Sequence, residues 1–183
     1  MADPLRERTR QLLIDYLLFC AREPGTRELP PSSSEAAVLR SVAAQTLQLH
    51  QPFFSSFRGY QGNSLELLSQ MADVVLSDQQ SLNWGRVVVL VAFAGMLLDQ
   101  SPCKNTKGRN RLHVLRDCLY MVDLLCTRLT GRHRAWLEAQ DDWDGFCRFF
   151  RRPFPLSFWR RLLLQMFLSC FFAIGILYLW KRL

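Results

Sequence analysis

Residues 87 to 98 read Val-Val-Val-Leu-Val-Ala-Phe-Ala-Gly-Met-Leu-Leu, twelve consecutive apolar or small positions without a charge. No face of such a segment can stand in water, whatever secondary structure it takes. Its four valines keep a buried strand open as a reading, because periodicity alone does not separate strand from helix here. Length favours a helix, and no other stretch of the chain offers a strand to pair with it. A helix apolar on every side belongs at the centre of a bundle, so the other elements have to be laid around it.

Those elements read as amphipathic helices. Asp3-Pro4 opens the first, with Leu5, Leu12, Tyr16 and Cys20 on one face, and Pro24-Gly25 ends it. A Pro/Ser-rich linker leads to a second helix near Ser34-Glu35, whose stripe runs Leu39, Val42, Thr46, Leu49 and Phe53. Pro52 distorts its end, and Gly59 and Gly62 mark a turn. Asn63 is placed to cap the next helix, with Leu65, Leu68, Ala72 and Val75 inward. After a polar loop from Ser101 to Gly108, Leu112, Leu115, Leu119, Val122, Cys126 and Leu129 form a stripe expected to pack beside the central helix, with Gly131 ending it. Two short helices are expected over 133–140 and 143–150. The fold class is therefore all-α, a bundle around a central hydrophobic hairpin.

A second constraint lies at the C-terminus. Leu162 to Trp180 carries no charge, and its nineteen positions would span about 28 Å as a helix, close to a bilayer core. Leu162, Leu163, Leu164, Met166, Phe167 and Leu168 form its first half. Phe171, Phe172, Ile174, Ile176, Leu177, Leu179 and Trp180 form its second. Arg160 and Arg161 precede it, Lys181 and Arg182 follow it, and Trp159, Tyr178 and Trp180 sit near its ends, where aromatic rings prefer the headgroup level. Those flanks speak against a buried core helix. The charged N-terminus has no apolar leader, so insertion after synthesis, with the larger part facing the cytosol, is the expectation. The organisation expected is a helical domain over 1–152, a linker over 153–161 and a transmembrane tail anchor over 162–180.

The net charge of +7 is concentrated in part at Arg148, Arg151, Arg152, Arg160 and Arg161, beside that segment, where anionic headgroups attract cations. Basicity therefore points to membrane lipid rather than nucleic acid, for which there is no groove-reading or base-stacking motif. Six cysteines show no C-x-x-C pair, and three histidines are scattered, so no metal site and no cofactor is expected. There is no phosphate-cradling glycine loop, no G-x-S-x-G and no H-E-x-x-H, hence no catalytic residue and no small-molecule substrate is expected. Asp141, Asp142 and Asp144 read as caps and dipole partners of the last short helix.

One motif remains. Asn83-Trp84-Gly85-Arg86 opens the apolar helix, and Ala92-Phe93-Ala94-Gly95 lies two turns on. This resembles the first homology region of the Bcl-2 family of apoptosis regulators. Trp143-Asp144-Gly145-Phe146 resembles the second region, Leu39-Arg40 and the stripe after it occupy the place of the third (BH3), and Leu5 to Arg22 resembles the fourth. Order, spacing and the C-terminal segment agree across essentially the whole chain.

The resemblance implies a groove that takes a BH3 helix from a pro-apoptotic relative. Arg86 would pair with the partner's aspartate, Asn83 would add a hydrogen bond, and Gly85 would let the partner approach closely. Val42, Phe54, Phe57, Val75, Val88 and Phe93 match groove-lining positions, and Trp84 would support them. The family's BH3 pattern carries Gly-Asp where this chain has Ala43 and Ala44. Without that aspartate the chain reads as a receptor rather than a donor, hence anti-apoptotic. The alternative is a pro-apoptotic, membrane-permeabilising member whose helical hairpin inserts. The expected place is the mitochondrial outer membrane or the endoplasmic reticulum membrane, facing the cytosol, with a cytosolic pool as a further state.

Overall fold

The computed structural model describes residues 3–22, 25–77, 82–99 and 111–151, and among them there is no strand. Eight α-helices follow one another: α1 Pro4–Ala21, α2 Ser34–Leu49, α3 Gln51–Ser55, α4 Ser64–Val75, α5 Trp84–Asp99, α6 Arg111–Thr127, α7 Arg134–Ala139 and α8 Asp142–Arg151. The expected transmembrane segment and the linker before it lie outside the described residues. Within those residues no helix is long and apolar enough to cross a membrane.

Helix starts follow local chemistry. The Asp3 carboxylate accepts from the Arg6 amide at 3.4 Å, with Pro4 just inside α1. Ser33 Oγ accepts from the Ala36 amide at 3.1 Å to begin α2. Asn63 Oδ1 accepts from the amides of Leu65 (3.0 Å) and Glu66 (3.3 Å), so the expected cap of α4 is in place. Each bond satisfies a helix-end N–H that has no partner within its own helix.

The apolar run takes the centre as a helix. Every side chain from Val87 to Leu98 is buried, with α1, α2, α4 and α6 packed around it. Gly95 makes the close approach of α1 possible, since a Cβ there would stand 2.8 Å from both Cys20 Sγ and Tyr16 Oη.

Two expected stripes are corrected. On α2 the fully buried positions are Ala36, Leu39, Ala43 and Thr46, while Leu49 is exposed. The turn at His50 rotates the chain before Phe53, which is buried from α3 and not from a continued α2. On α6 the stripe holds at Val122, Cys126 and Leu129, which are buried, but Leu112 is 75 % and Leu119 49 % exposed, and Val114, Cys118, Met121 and Leu125 complete the core face instead. Cys126 Sγ donates to the Arg6 carbonyl of α1 at 3.5 Å, and the leucines near the start of α6 turn outward. Gly131 does not end this helix either: the chain continues through a π turn, Arg128–Arg132, with Thr130 Oγ1 bonded to the Cys126 carbonyl at 2.8 Å.

Charged side chains tie the outer helices together. Arg40 and Asp15 form a nearly buried pair at 2.7 Å between α2 and α1. Arg8 on α1 donates to Asp144 on α8 at 2.9 and 3.1 Å, and to Glu35 on α2 at 2.8 Å. Behind them, Trp143 Nε1 donates to Thr9 Oγ1 at 2.9 Å in the interior.

Candidate functional site: the N-terminal end of the central helix

Asn83 stands immediately before α5, and its Oδ1 accepts from the Arg86 amide at 3.0 Å, as an N-cap side chain does. The residue expected to bond a partner thus has a second task, holding the first turn of the central helix. Gly85 is buried in that turn. Trp84 is buried as well and supports the site from behind: its ring meets those of Trp136 (4.9 Å), Phe146 (5.3 Å) and Trp143 (5.7 Å).

Arg86 is half-buried. Its Nη1 donates to the carbonyl oxygen of Val75, the last residue of α4, at 3.3 Å. Its Nε is enclosed without a hydrogen-bond acceptor among the described residues. No carboxylate among the described residues lies within ion-pair distance of it. An internal salt bridge, the plainest structural reason for an arginine here, is therefore not found among those residues. A guanidinium held in this way can accept a carboxylate along its open edge.

The six apolar positions matched by resemblance divide into two groups. Val75, Val88, Phe93 and Phe54 are buried, while Val42 and Phe57 are half-buried against the core. Phe57 packs edge-to-face on Phe93 at 5.1 Å, Phe53 lies 5.3 Å from Phe57, and Phe53 also approaches Phe93 at 6.5 Å. The aromatic residues of α3 and its following turn thus cover Phe93. Phe54 points elsewhere: with Leu47 and Met96 it lines a cavity of about 460 Å3 at the other end of α5. Sequence spacing puts Phe53 only in the α2 stripe, because the α2–α3 turn that brings it over Phe93 has no periodic signature.

The acidic run before the last helix behaves differently from simple caps. Asp141 and Asp142 both take left-handed backbone, at φ +61° and +51°. The Asp141 carboxylate pairs with Arg148 and Asp144 with Arg8. Asp142 Oδ1 is enclosed without a partner among the described residues, and burial pushes its carboxyl pKa up. Gly145 is obligatory in this turn, because a Cβ would lie 1.7 Å from the Gln140 carbonyl oxygen.

Comparison with known proteins places this geometry in context. A family model described as "Apoptosis regulator proteins, Bcl-2 family" matches residues 39–143. Bcl-2-like protein 10 of Rattus norvegicus is 58 % identical over all of this chain and all of its own. The anti-apoptotic protein NR13 of Gallus gallus is 37 % identical over 83 % of this chain and 81 % of its own. Among solved structures, the solution structure of a divergent Bcl-2 protein superposes with a TM-score of 0.70 at 55 % identity, covering 84 % of this chain and 94 % of that one. The crystal structure of a zebra-fish pro-survival protein, NRZ, in complex with a Bad BH3 gives 0.66 at 27 % identity, covering 80 % and 95 %.

Proposed function

The chain belongs to the Bcl-2 family of apoptosis regulators, and on that premise we propose that it acts on the survival side, holding BH3 helices of pro-apoptotic relatives in a groove beside α5. The observation that carries this is Arg86, a half-buried guanidinium with an enclosed Nε and no carboxylate partner among the described residues. An aspartate presented by an incoming amphipathic helix would complete it. Val42 and Phe57 border the groove, Phe93 and Val88 lie beneath it, and opening it moves Phe53 and Phe57 off Phe93.

The survival sign rests on two further supports. Ala43 is buried against the core and Ala44 is exposed, so α2 carries no carboxylate at the positions that would present one to another member's arginine. The relatives point the same way: NR13 carries the name anti-apoptotic, and NRZ is a pro-survival protein in complex with a Bad BH3. The uncharged segment over 162–180 would place this receptor on the mitochondrial outer membrane or the endoplasmic reticulum membrane, where permeabilising relatives act.

The test is a titration of a BH3 peptide into the full chain held in lipid nanodiscs, native and Arg86→Ala. Loss of roughly 1.5–3 kcal/mol of binding free energy is expected. Equal affinity with the helical content intact would sink the role of Arg86. In liposomes, suppression of an effector's release supports the survival sign, and release by this chain alone reverses it.

A further inference from the structure

The cavity at the C-terminal end of α5 is separate from the groove just described: Arg86 and Asp99 are about 20 Å apart along the helix. At about 460 Å3 it lies within the range of roughly 300–1,000 Å3 that small-molecule sites occupy. Its wall is divided by chemistry. Phe19, Leu47, Phe54 and Met96 supply apolar surface from four different segments. Arg22, just after α1, and Arg58, beyond α3, also line it.

Both cations are available. The Arg22 guanidinium lies 4.6 Å over the Phe19 ring, which holds it at the cavity, and its ion pair with Glu28 is long, 3.7 Å, and exposed. Such a pair is screened by water and exchanges readily. Arg58 forms no ion pair among the described residues. Among the described lining residues Asp99 is the one acid, at the end of α5.

We propose that this cavity binds a single-chain amphipathic carboxylate, its alkyl chain against Phe19, Leu47, Phe54 and Met96 and its head between Arg22 and Arg58. The planar arginine fork matches a carboxylate in geometry as well as charge. Phe54 also touches Phe53 at 5.1 Å, so an occupant would bear on the same α3 that covers Phe93. The site itself does not depend on the groove reading, since Arg86 takes no part in it.

The full chain in lipid nanodiscs is irradiated with a diazirine-bearing dodecanoic acid, and labelled peptides are mapped by mass spectrometry. Labelling is expected within residues 19–22, 47–58 and 95–99, with competition by dodecanoate and not by dodecanol. An Arg22→Glu/Arg58→Glu variant should lose about tenfold or more, since two charge-assisted contacts go. Its circular-dichroism spectrum and thermal midpoint, measured in parallel, should stay native and so report an intact fold. Labelling that ignores the variant, spreads evenly over the chain, or is competed equally by dodecanol overturns the proposal.

Discussion

Arg86 Nη1 donates to the carbonyl oxygen of Val75 at 3.3 Å, so the cation at the start of α5 also closes the end of α4. A carboxylate that reaches Arg86 meets a guanidinium with one edge already engaged. Lysine keeps the charge but has no second edge with which to serve both oxygens. Arg86→Lys is therefore expected to weaken binding of a BH3 peptide by about 1–2 kcal/mol and to loosen the last turn of α4. Calorimetric titration reads the first effect, and amide hydrogen exchange at Leu76 and Ser77 reads the second. Native affinity for the lysine variant would show that point charge alone suffices.

The turn before α8 gives two substitutions opposite signs. Gly145→Ala drives a methyl into the Gln140 carbonyl, 1.7 Å away, and backbone has to move to relieve it. A loss of about 2–4 kcal/mol is expected. Asp142→Gly removes a side chain from a backbone at φ +51° and deletes an enclosed, unpartnered carboxylate oxygen. A gain of about 1 kcal/mol is expected, because glycine adopts that conformation without the Cβ penalty. Thermal denaturation of the two variants decides both, and a stabilised Gly145→Ala chain would contradict the geometry.

Much of this architecture was legible in sequence because its signals are local. The run from Val87 to Leu98 had to be central, Asn63 had the chemistry of a cap, and Asn83-Trp84-Gly85-Arg86 marked the start of α5 and the candidate site. What escaped depends on neighbours distant in the chain. The spacing of Leu112, Leu115 and Leu119 is as helical as that of the true core face, and only the neighbours that bury Cys118, Met121 and Leu125 decide between them. The turn at His50, which carries Phe53 over Phe93 and sends Phe54 to the far cavity, has no pattern to read. The left-handed backbone at Asp141 and Asp142 likewise belongs to no periodic pattern.

That correction on α6 has a direct test. Leu112→Gln and Leu119→Gln alter exposed positions and should each change stability by no more than about 0.5 kcal/mol. Leu125→Ala, at a position with no exposure, should cost about 2–5 kcal/mol through lost burial and the cavity left behind. Urea midpoints for the three variants suffice. A large loss at Leu119 together with a small one at Leu125 would restore the face read from sequence.

Acid should destabilise the fold in two windows with different causes. Burial pulls the His50 pKa down to about 4, so the folded chain keeps this imidazole neutral where the unfolded chain protonates it near 6.5. The unfolded state then binds the extra proton between those values, and stability falls as pH drops from about 6.5 toward 4. Glu35 follows at lower pH. Hydrogen bonding from its own backbone amide, and then from Arg8 and Ser33, holds its carboxyl at about 2. Its contribution is complete above the ordinary glutamate value near 4.3 and is lost as pH falls toward 2. His50→Gln should flatten the upper window and leave the lower one, and Glu35→Gln should do the reverse, in urea midpoints measured every half unit from pH 7 to 2. Acid loss that is unchanged in both variants would move the cause to other groups, with the clamp of Arg8 on Asp144 the next to replace.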